Sequence, residues 1–344
     1  MRFEKDPAPD DTPPGRGRFL DARRARPSGK LDVTALLCLA GTTICWGVVP
    51  PMLRWLKVEG HVPDGFTSNF VRYPVACALY LPLVILIGRR GGVGRFWILA
   101  LIPTLVNVIG QTLWAWSPYF LEANMMAFMG RTSVVWAILG AFLVFPEERR
   151  IARSPEFWIG LVLAFGGFVL MSLLGADAQA DSGTGNSVFG IVLMGVCAVC
   201  WGMYGVTVRY VIGDRHPLFV FGVIGGYTSI ALLLMGPLGE PSAIGRLTLF
   251  PLVVLIGSAV LGIAVAHGLY YVAIKRIGVA VTTLGLMMAP FITLAGSALI
   301  LGERFSPGQW LGGVTLVIGS SLAVRAQQRL SPPHLVDPHE LGNE

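Results

Sequence analysis

Charge is what this sequence has least of: Asp, Glu, Lys and Arg make up 13% of its 344 residues, where soluble proteins carry about 25%. Such a chain cannot cover a soluble surface, and with 54% hydrophobic residues and a mean hydropathy of +0.66 it belongs in lipid. Acids are missing altogether from the long apolar stretches, since every Asp and Glu lies outside them or at their ends. That excludes the paired carboxylates, nucleophile–base pairs and metal clusters of an intramembrane enzyme, so no catalytic residues, metal or cofactor are expected. Cysteine is sparse too. Cys38, Cys45, Cys77, Cys197 and Cys200 all sit in apolar stretches, which implies no disulfide framework. Cys197 and Cys200 form a C-x-x-C with no histidine or acid nearby and read as small membrane-helix residues. The first apolar run is expected to be an anchor and not a removable signal peptide, because it follows 32 polar residues that include five prolines.

What is present is a series of ten apolar stretches, each near the ~20 residues needed to cross the hydrocarbon of a bilayer. They run from Val33 to Leu53, Ser68 to Gly88, Phe96 to Trp116, Ala123 to Phe145, Phe157 to Leu174, Ser187 to Val208, Leu218 to Met235, Leu249 to Ala273, Val279 to Leu301 and Pro307 to Val324. Long continuous runs predict helices rather than a barrel's short alternating strands.

The net charge of +6 does not indicate nucleic acid, because its placement alternates from loop to loop. One set of segments holds the arginine-rich amino tail, Arg89, Arg90, Arg95, Arg149, Arg150, Arg153, Arg209, Arg215, Lys275, Arg276, Arg325 and Arg329. The other set holds only Arg54, Lys57, Arg72, Arg246 and Arg304. By the positive-inside rule both termini are expected in the cytoplasm and the chain in the cell membrane, among membrane lipids.

The chain also contains itself twice. Cys45-Trp46-Gly47 with Arg54 returns as Cys200-Trp201-Gly202 with Arg209, 155 residues later. Ser154, Pro155, Trp158 and Gly160 return as Ser306, Pro307, Trp310 and Gly312, 152 later. Leu105, Leu113, Gly140 and Glu147 return as Leu261, Leu269, Gly296 and Glu303, 156 later. Five spans per copy is an odd number, so the second copy enters the membrane from the opposite side. The expected organisation is a tail over residues 1–32, a five-helix repeat over 33–174, a linker over 175–186, an inverted repeat over 187–325 and a tail over 326–344. Inverted halves can exchange conformations around a site between them, which argues for transport.

At this point the residues resemble the EamA-type transporters of the drug/metabolite transporter superfamily. The resemblance rests on the two C-W-G blocks, Arg72, and the run from Tyr270 through Ala289, Pro290, Gly302, Glu303, Trp310 and Gly312. The first half departs from it where Val134 stands for Pro290, Pro146 precedes Glu147, and Arg131 lies inside a span. The resemblance implies an all-α membrane protein of ten helices that carries a small-molecule substrate, without naming the cargo.

Several residues are candidates for the site. Trp46 and Trp201 lie mid-span, either lining a cavity or packing moving helices. Pro50 and Pro51, one turn on, should kink or end the first helix. Asn107, Gln111 and Trp114 share one helical face, matched in the second copy by Ile263, His267 and Tyr270. With Tyr204 these residues suit a polar substrate. His267 is either a proton carrier or a hydrogen-bonded structural residue. Arg131, without an acidic partner at its depth, is expected to meet an anionic group or else backbone carbonyls. Arg72 is expected near the outer end of its span in a structural or gating role, and Glu147 and Glu303 are expected to tie turns between helices. The absence of buried acids disfavours export of cationic drugs. The reading is a secondary carrier of a small polar metabolite, an amino acid or a carboxylate, with a channel or another membrane-embedded binding protein as the alternative. Monomer and homodimer both stay open.

Overall fold

The computed structural model describes residues 32–89, 94–117, 120, 129–130, 132–176, 188–293, 295 and 306–330, and among them there are helices and turns but no strand. Helix α1 (Val33–Val58) begins where the Asp32 carboxylate accepts the Ala35 N–H at 2.9 Å. It continues through Pro50 and Pro51 to Val58, past the end expected at Leu53. The prolines lack the N–H groups that would bond the carbonyls of Trp46 and Gly47, so they free two backbone acceptors without ending the helix.

Helices α2 (Gly65–Ala78) and α3 (Leu81–Arg89) form one bent unit with a 50° angle. Asp64 caps α2 by accepting the Thr67 N–H at 2.8 Å. Then come α4 (Phe96–Leu99), α5 (Leu101–Trp116), α6 (Ser133–Val144), a short 3-10 turn over Glu148–Arg153, and α7 (Pro155–Ala176). As expected, Ser154 caps α7, its hydroxyl accepting the Phe157 N–H at 3.4 Å with Pro155 in the first turn.

The second half contains α8 (Val188–Ile212), α9 (Pro217–Met235), α10 (Leu249–Ala259), a π-helical turn over Val260–Val265, α11 (Ala266–Ile277), α12 (Val279–Gly285) and α13 (Pro307–Leu330). Gly278 takes a φ of 82°, a left-handed value that glycine adopts without penalty, and turns the chain between α11 and α12. Helix α13 extends to Leu330, into the region expected as tail.

Among the described residues five helical segments are long and apolar enough to cross a membrane: Val33–Lys57, Phe96–Trp116, Val188–Ile212, Pro217–Leu238 and Leu249–Ile277. The bent α2–α3 pair makes a sixth. Ser133–Val144, Pro155–Leu170, Val279–Thr293 and Trp310–Ala326 are shorter apolar helices, and a count of ten depends on them. Large apolar side chains such as Leu143, Val162, Val192 and Leu234 point outward, the surface of a multi-pass protein solvated by lipid.

Small residues bring the helices together, as expected where lipid leaves no hydrophobic drive for association. Helices α7 and α13 pack antiparallel: Gly160 lies against Gly319 and Ala323, and Gly167 against Gly312 and Leu316. The glycines of the C-W-G blocks do equivalent work. A Cβ on Gly47 would stand 3.1 Å from the Ala289 carbonyl and 2.6 Å from the Ile292 Cβ. One on Gly202 would stand 2.6 Å from the Ser133 carbonyl and from the Trp136 Cβ. Ser133 and Ala289 are 156 residues apart, as are Trp136 and Ile292, so the sequence repeat is also a repeat of contacts.

Candidate functional site

A cavity of about 170 Å³ opens between the two halves. Its wall includes Trp46, Asn107, Gln111, Trp114, Trp201, Tyr204, His267 and Tyr270, eight of the nine residues expected at a site. The ninth, Arg131, lies outside the described residues. Val49, Pro50, Arg72, Ser133, Gly262 and Thr283 also line it.

The rings are arranged in equivalent pairs. Trp46 meets Tyr270 with centroids 5.1 Å apart; Trp201 meets Trp114 at 4.8 Å. Beneath each pair, a side chain bonds a backbone carbonyl of the neighbouring helix. Thr42 Oγ1 donates to the Ala266 carbonyl at 3.3 Å, and Cys197 Sγ to the Gly110 carbonyl at 3.3 Å. The C-x-x-C cysteines are free thiols.

The halves differ at the π-helical turn. A turn wound with i to i+5 bonds offsets the backbone register and leaves carbonyls to side chains. Gly262 O accepts the Trp46 indole N–H at 2.9 Å and lies 3.1 Å from His267 Nδ1, while Ala264 O accepts the Tyr80 hydroxyl at 2.7 Å. Bonding to a carbonyl assigns the hydrogen of neutral His267 to Nδ1 and leaves Nε2 as an acceptor. The imidazole stacks on Phe221 at 5.6 Å and takes the Trp46 ring on its edge at 5.1 Å. His267 is therefore both a hydrogen-bonded, packed residue and a wall residue.

Polar groups around the cavity are mostly donors or neutral. Asn107 Nδ2 donates to Thr228 Oγ1 at 3.1 Å, Tyr204 and Tyr271 share a hydroxyl contact of 2.6 Å, and no described acid lines the space. Among the described residues no group of three His, Cys, Asp or Glu is placed to hold a metal ion.

One expectation gains detail and one changes. Arg72 lies seven residues into α2, about 10 Å along the axis at 1.5 Å per residue, and there it is 7% exposed and lines the cavity. Gly262 lies beside its guanidinium, a neighbour that only the folded chain supplies. The turn-tying glutamate is Glu148, not Glu147. Its Oε1 and Oε2 accept the N–H groups of Val279 and Ala280, each at 2.9 Å, whereas Glu147 is exposed. The 3-10 turn rotates the chain enough to bury the next residue instead. Burial raises the Glu148 carboxyl above the usual glutamate value, and the two N–H bonds and Arg209 partly offset this. Glu303 lies outside the described residues.

Comparison with known proteins agrees with this architecture. One crystal structure, described only as that of a protein, superposes with a TM-score of 0.59 at 15% identity, over 84% of this chain and 96% of that one. At that identity the likeness shows a shared fold. No curated protein sequence matches the chain. The model of the EamA-like transporter family matches residues 33–173 and again residues 188–325. The matches fall on the two halves that pack around the cavity and take in most of the sequence, so the chain belongs to the EamA-like transporter family.

Proposed function

We propose that this transporter is a secondary carrier, built as ten spans in two inverted five-helix repeats, that moves a small polar metabolite, an amino acid or a carboxylate, by alternating access. The observation that carries this reading is the cavity between the halves, walled by Trp46 and Tyr270 on one side and by their equivalents Trp201 and Trp114 on the other. Equivalent walls let the halves exchange roles, so that the cavity faces one side and then the other. Cross-repeat bonds at both ends of the interface support the idea. At one end Glu148 holds Val279 and Ala280. At the other Asp64 Oδ2 and Thr67 Oγ1 accept the Glu240 N–H at 3.0 and 2.9 Å. Loop charge puts the Glu148 end, with Arg149, Arg150 and Arg153, in the cytoplasm of a cell-membrane protein with both termini inside. The eight wall residues and Arg131 are the proposed substrate contacts.

Counterflow into proteoliposomes tests this. A panel of amino acids, carboxylates, purines and sugars is offered with and without a pH gradient. A carrier gives saturable uptake accelerated by unlabelled solute inside. Unitary currents in a planar bilayer, without counterflow, would instead establish a channel.

A further inference from the structure

We propose that the cavity selects a small organic carboxylate that carries no ammonium group, with Arg72 meeting the carboxylate and the aromatic walls holding an apolar or planar remainder. This rests on the carrier reading of the same cavity and specifies its cargo.

Arg72 is the reason. Its side chain is almost wholly buried and lines the cavity, yet the described residues hardly satisfy it. One hydrogen bond, from an Nη to the Ser258 carbonyl, is long at 3.4 Å. Nε is buried without a partner, and the arginine forms no ion pair among the described residues. The acids that elsewhere define the interface are engaged away from it: Glu148 with Val279 and Ala280, Asp64 with Thr67 and Glu240, Asp32 with Arg276. A guanidinium is a planar fork of five donors whose geometry matches a carboxylate in two parallel bonds. Left with one weak bond in a buried wall, it is a cation prepared for an anion that arrives from outside.

The fold sets a glycine beside this group. Gly262, in the π-helical turn, lets Val49 of α1 approach closely, since a Cβ there would stand 2.9 Å from Val49, and it lies beside the guanidinium, 3.5 Å from Arg72 Nη2 to the same position. The same glycine's carbonyl holds Trp46 and His267. The turn that holds Trp46 and His267 thus also borders the guanidinium, so charge and apolar body meet at one place.

Charge and size then narrow the ligand. No Asp or Glu lies within the apolar stretches, so an ammonium entering the cavity finds ring faces and the neutral amides of Asn107 and Gln111 but no negative charge. A zwitterion is worse matched than the simple acid of the same skeleton. A space of about 170 Å³ suits a body near the size of benzene, for which roughly 150 Å³ is enough.

The test uses purified full-length protein and four probes at neutral pH: benzoate and benzamide, which differ in charge, and 4-methylpentanoate and leucine, which differ in the ammonium group. Benzoate and 4-methylpentanoate are expected to raise the thermal unfolding midpoint at concentrations at least about tenfold below those needed for benzamide or leucine. Equal response to benzoate and benzamide, stronger response to leucine, or no response to either carboxylate overturns the proposal. In proteoliposomes Arg72→Gln should abolish counterflow of 4-methylpentanoate and Arg72→Lys should keep a part of it. A folded Arg72→Gln that still transports overturns the role of Arg72. The wild-type probe pairs decide the question if that variant does not fold. Absence of counterflow by any solute removes the carrier reading as well, whereas counterflow of another class with no carboxylate removes this proposal alone.

Discussion

Gly160 and Gly319 stand backbone to backbone: a Cβ on either would lie 2.7 Å from the carbonyl oxygen of the other. Gly167 and Gly312 repeat the approach, with a Cβ on Gly167 reaching within 2.6 Å of the Gly312 carbonyl. Since 152 residues separate Gly160 from Gly312 and Gly167 from Gly319, the four glycines form two equivalent pairs across the α7–α13 seam. Overpacking a tight interface costs about 1–3 kcal/mol, and here the obstacle is backbone, which cannot swing aside. Gly319→Ala is therefore expected to destabilise the protein by at least about 2 kcal/mol on this scale. Gly166→Ala, whose added carbon meets no atom of a neighbouring element within 4 Å, should be neutral or stabilise by up to about 1 kcal/mol, alanine being the better helix former. Thermal unfolding in detergent compares the two, and equal losses would dismiss the seam as a determinant of stability.

The two C-W-G tryptophans should respond differently to the same change. Trp46 donates its indole N–H to Gly262, while Trp201 is held by Trp114 and by Gly110, whose Cβ would stand 3.0 Å from the indole ring. Replacement by Phe keeps an aromatic ring and removes the N–H. Trp46→Phe is expected to cost about 0.6–2 kcal/mol, the range for hydrogen bonds between membrane helices. Trp201→Phe should cost less in unfolding free energy, though it thins the cavity wall. A larger loss for Trp201→Phe would mean that the Trp46–Gly262 bond adds little.

Glu148 gives the fold a pH dependence of definite sign. Burial raises its carboxyl above the unfolded value, outweighing the N–H groups of Val279 and Ala280 and the positive charge of Arg209, while Glu147 adds to the rise. The folded chain thus holds this proton more tightly than the unfolded chain. Its contribution to stability is fully present below the ordinary glutamate value and is lost as pH rises through the elevated one. Across that window wild type should lose more stability than Glu148→Gln, which does not titrate. Melting curves at a series of pH values give the comparison, and parallel profiles would rule out Glu148 as the source.

The parts of the site that were legible in the sequence are those that repeat or share a helical face. Trp46 and Trp201 showed themselves through the doubled C-W-G, and Asn107, Gln111 and Trp114 through their spacing, and the structure brings them around one cavity. The rest depends on geometry that leaves no local pattern. The π-helical turn at Val260–Val265 has no sequence signature, so the part played by Gly262 was invisible. Arg72 read as a span-end residue because its position says nothing of where a long side chain reaches. Glu147 attracted attention as the repeated residue, but the 3-10 turn after α6 buries its neighbour Glu148. Pro50 and Pro51 predict a kink or an end, and of these the end does not occur, since α1 continues through both.

Arg131 can be settled by transport alone. An arginine at a bilayer centre costs about 2.5–3.5 kcal/mol on insertion scales, and in a stretch without acids its charge needs carbonyls, amides or an incoming anion. If it meets the anion, Arg131→Gln at equal expression lowers carboxylate counterflow mainly through a raised KM, because binding is lost before translocation. If carbonyls hold it, the neutral glutamine leaves uptake as it was and changes the melting temperature instead. Arg72→Gln measured in parallel gives the scale of a full loss. Unchanged uptake with a changed melting temperature would take Arg131 out of the site and leave the anion to Arg72.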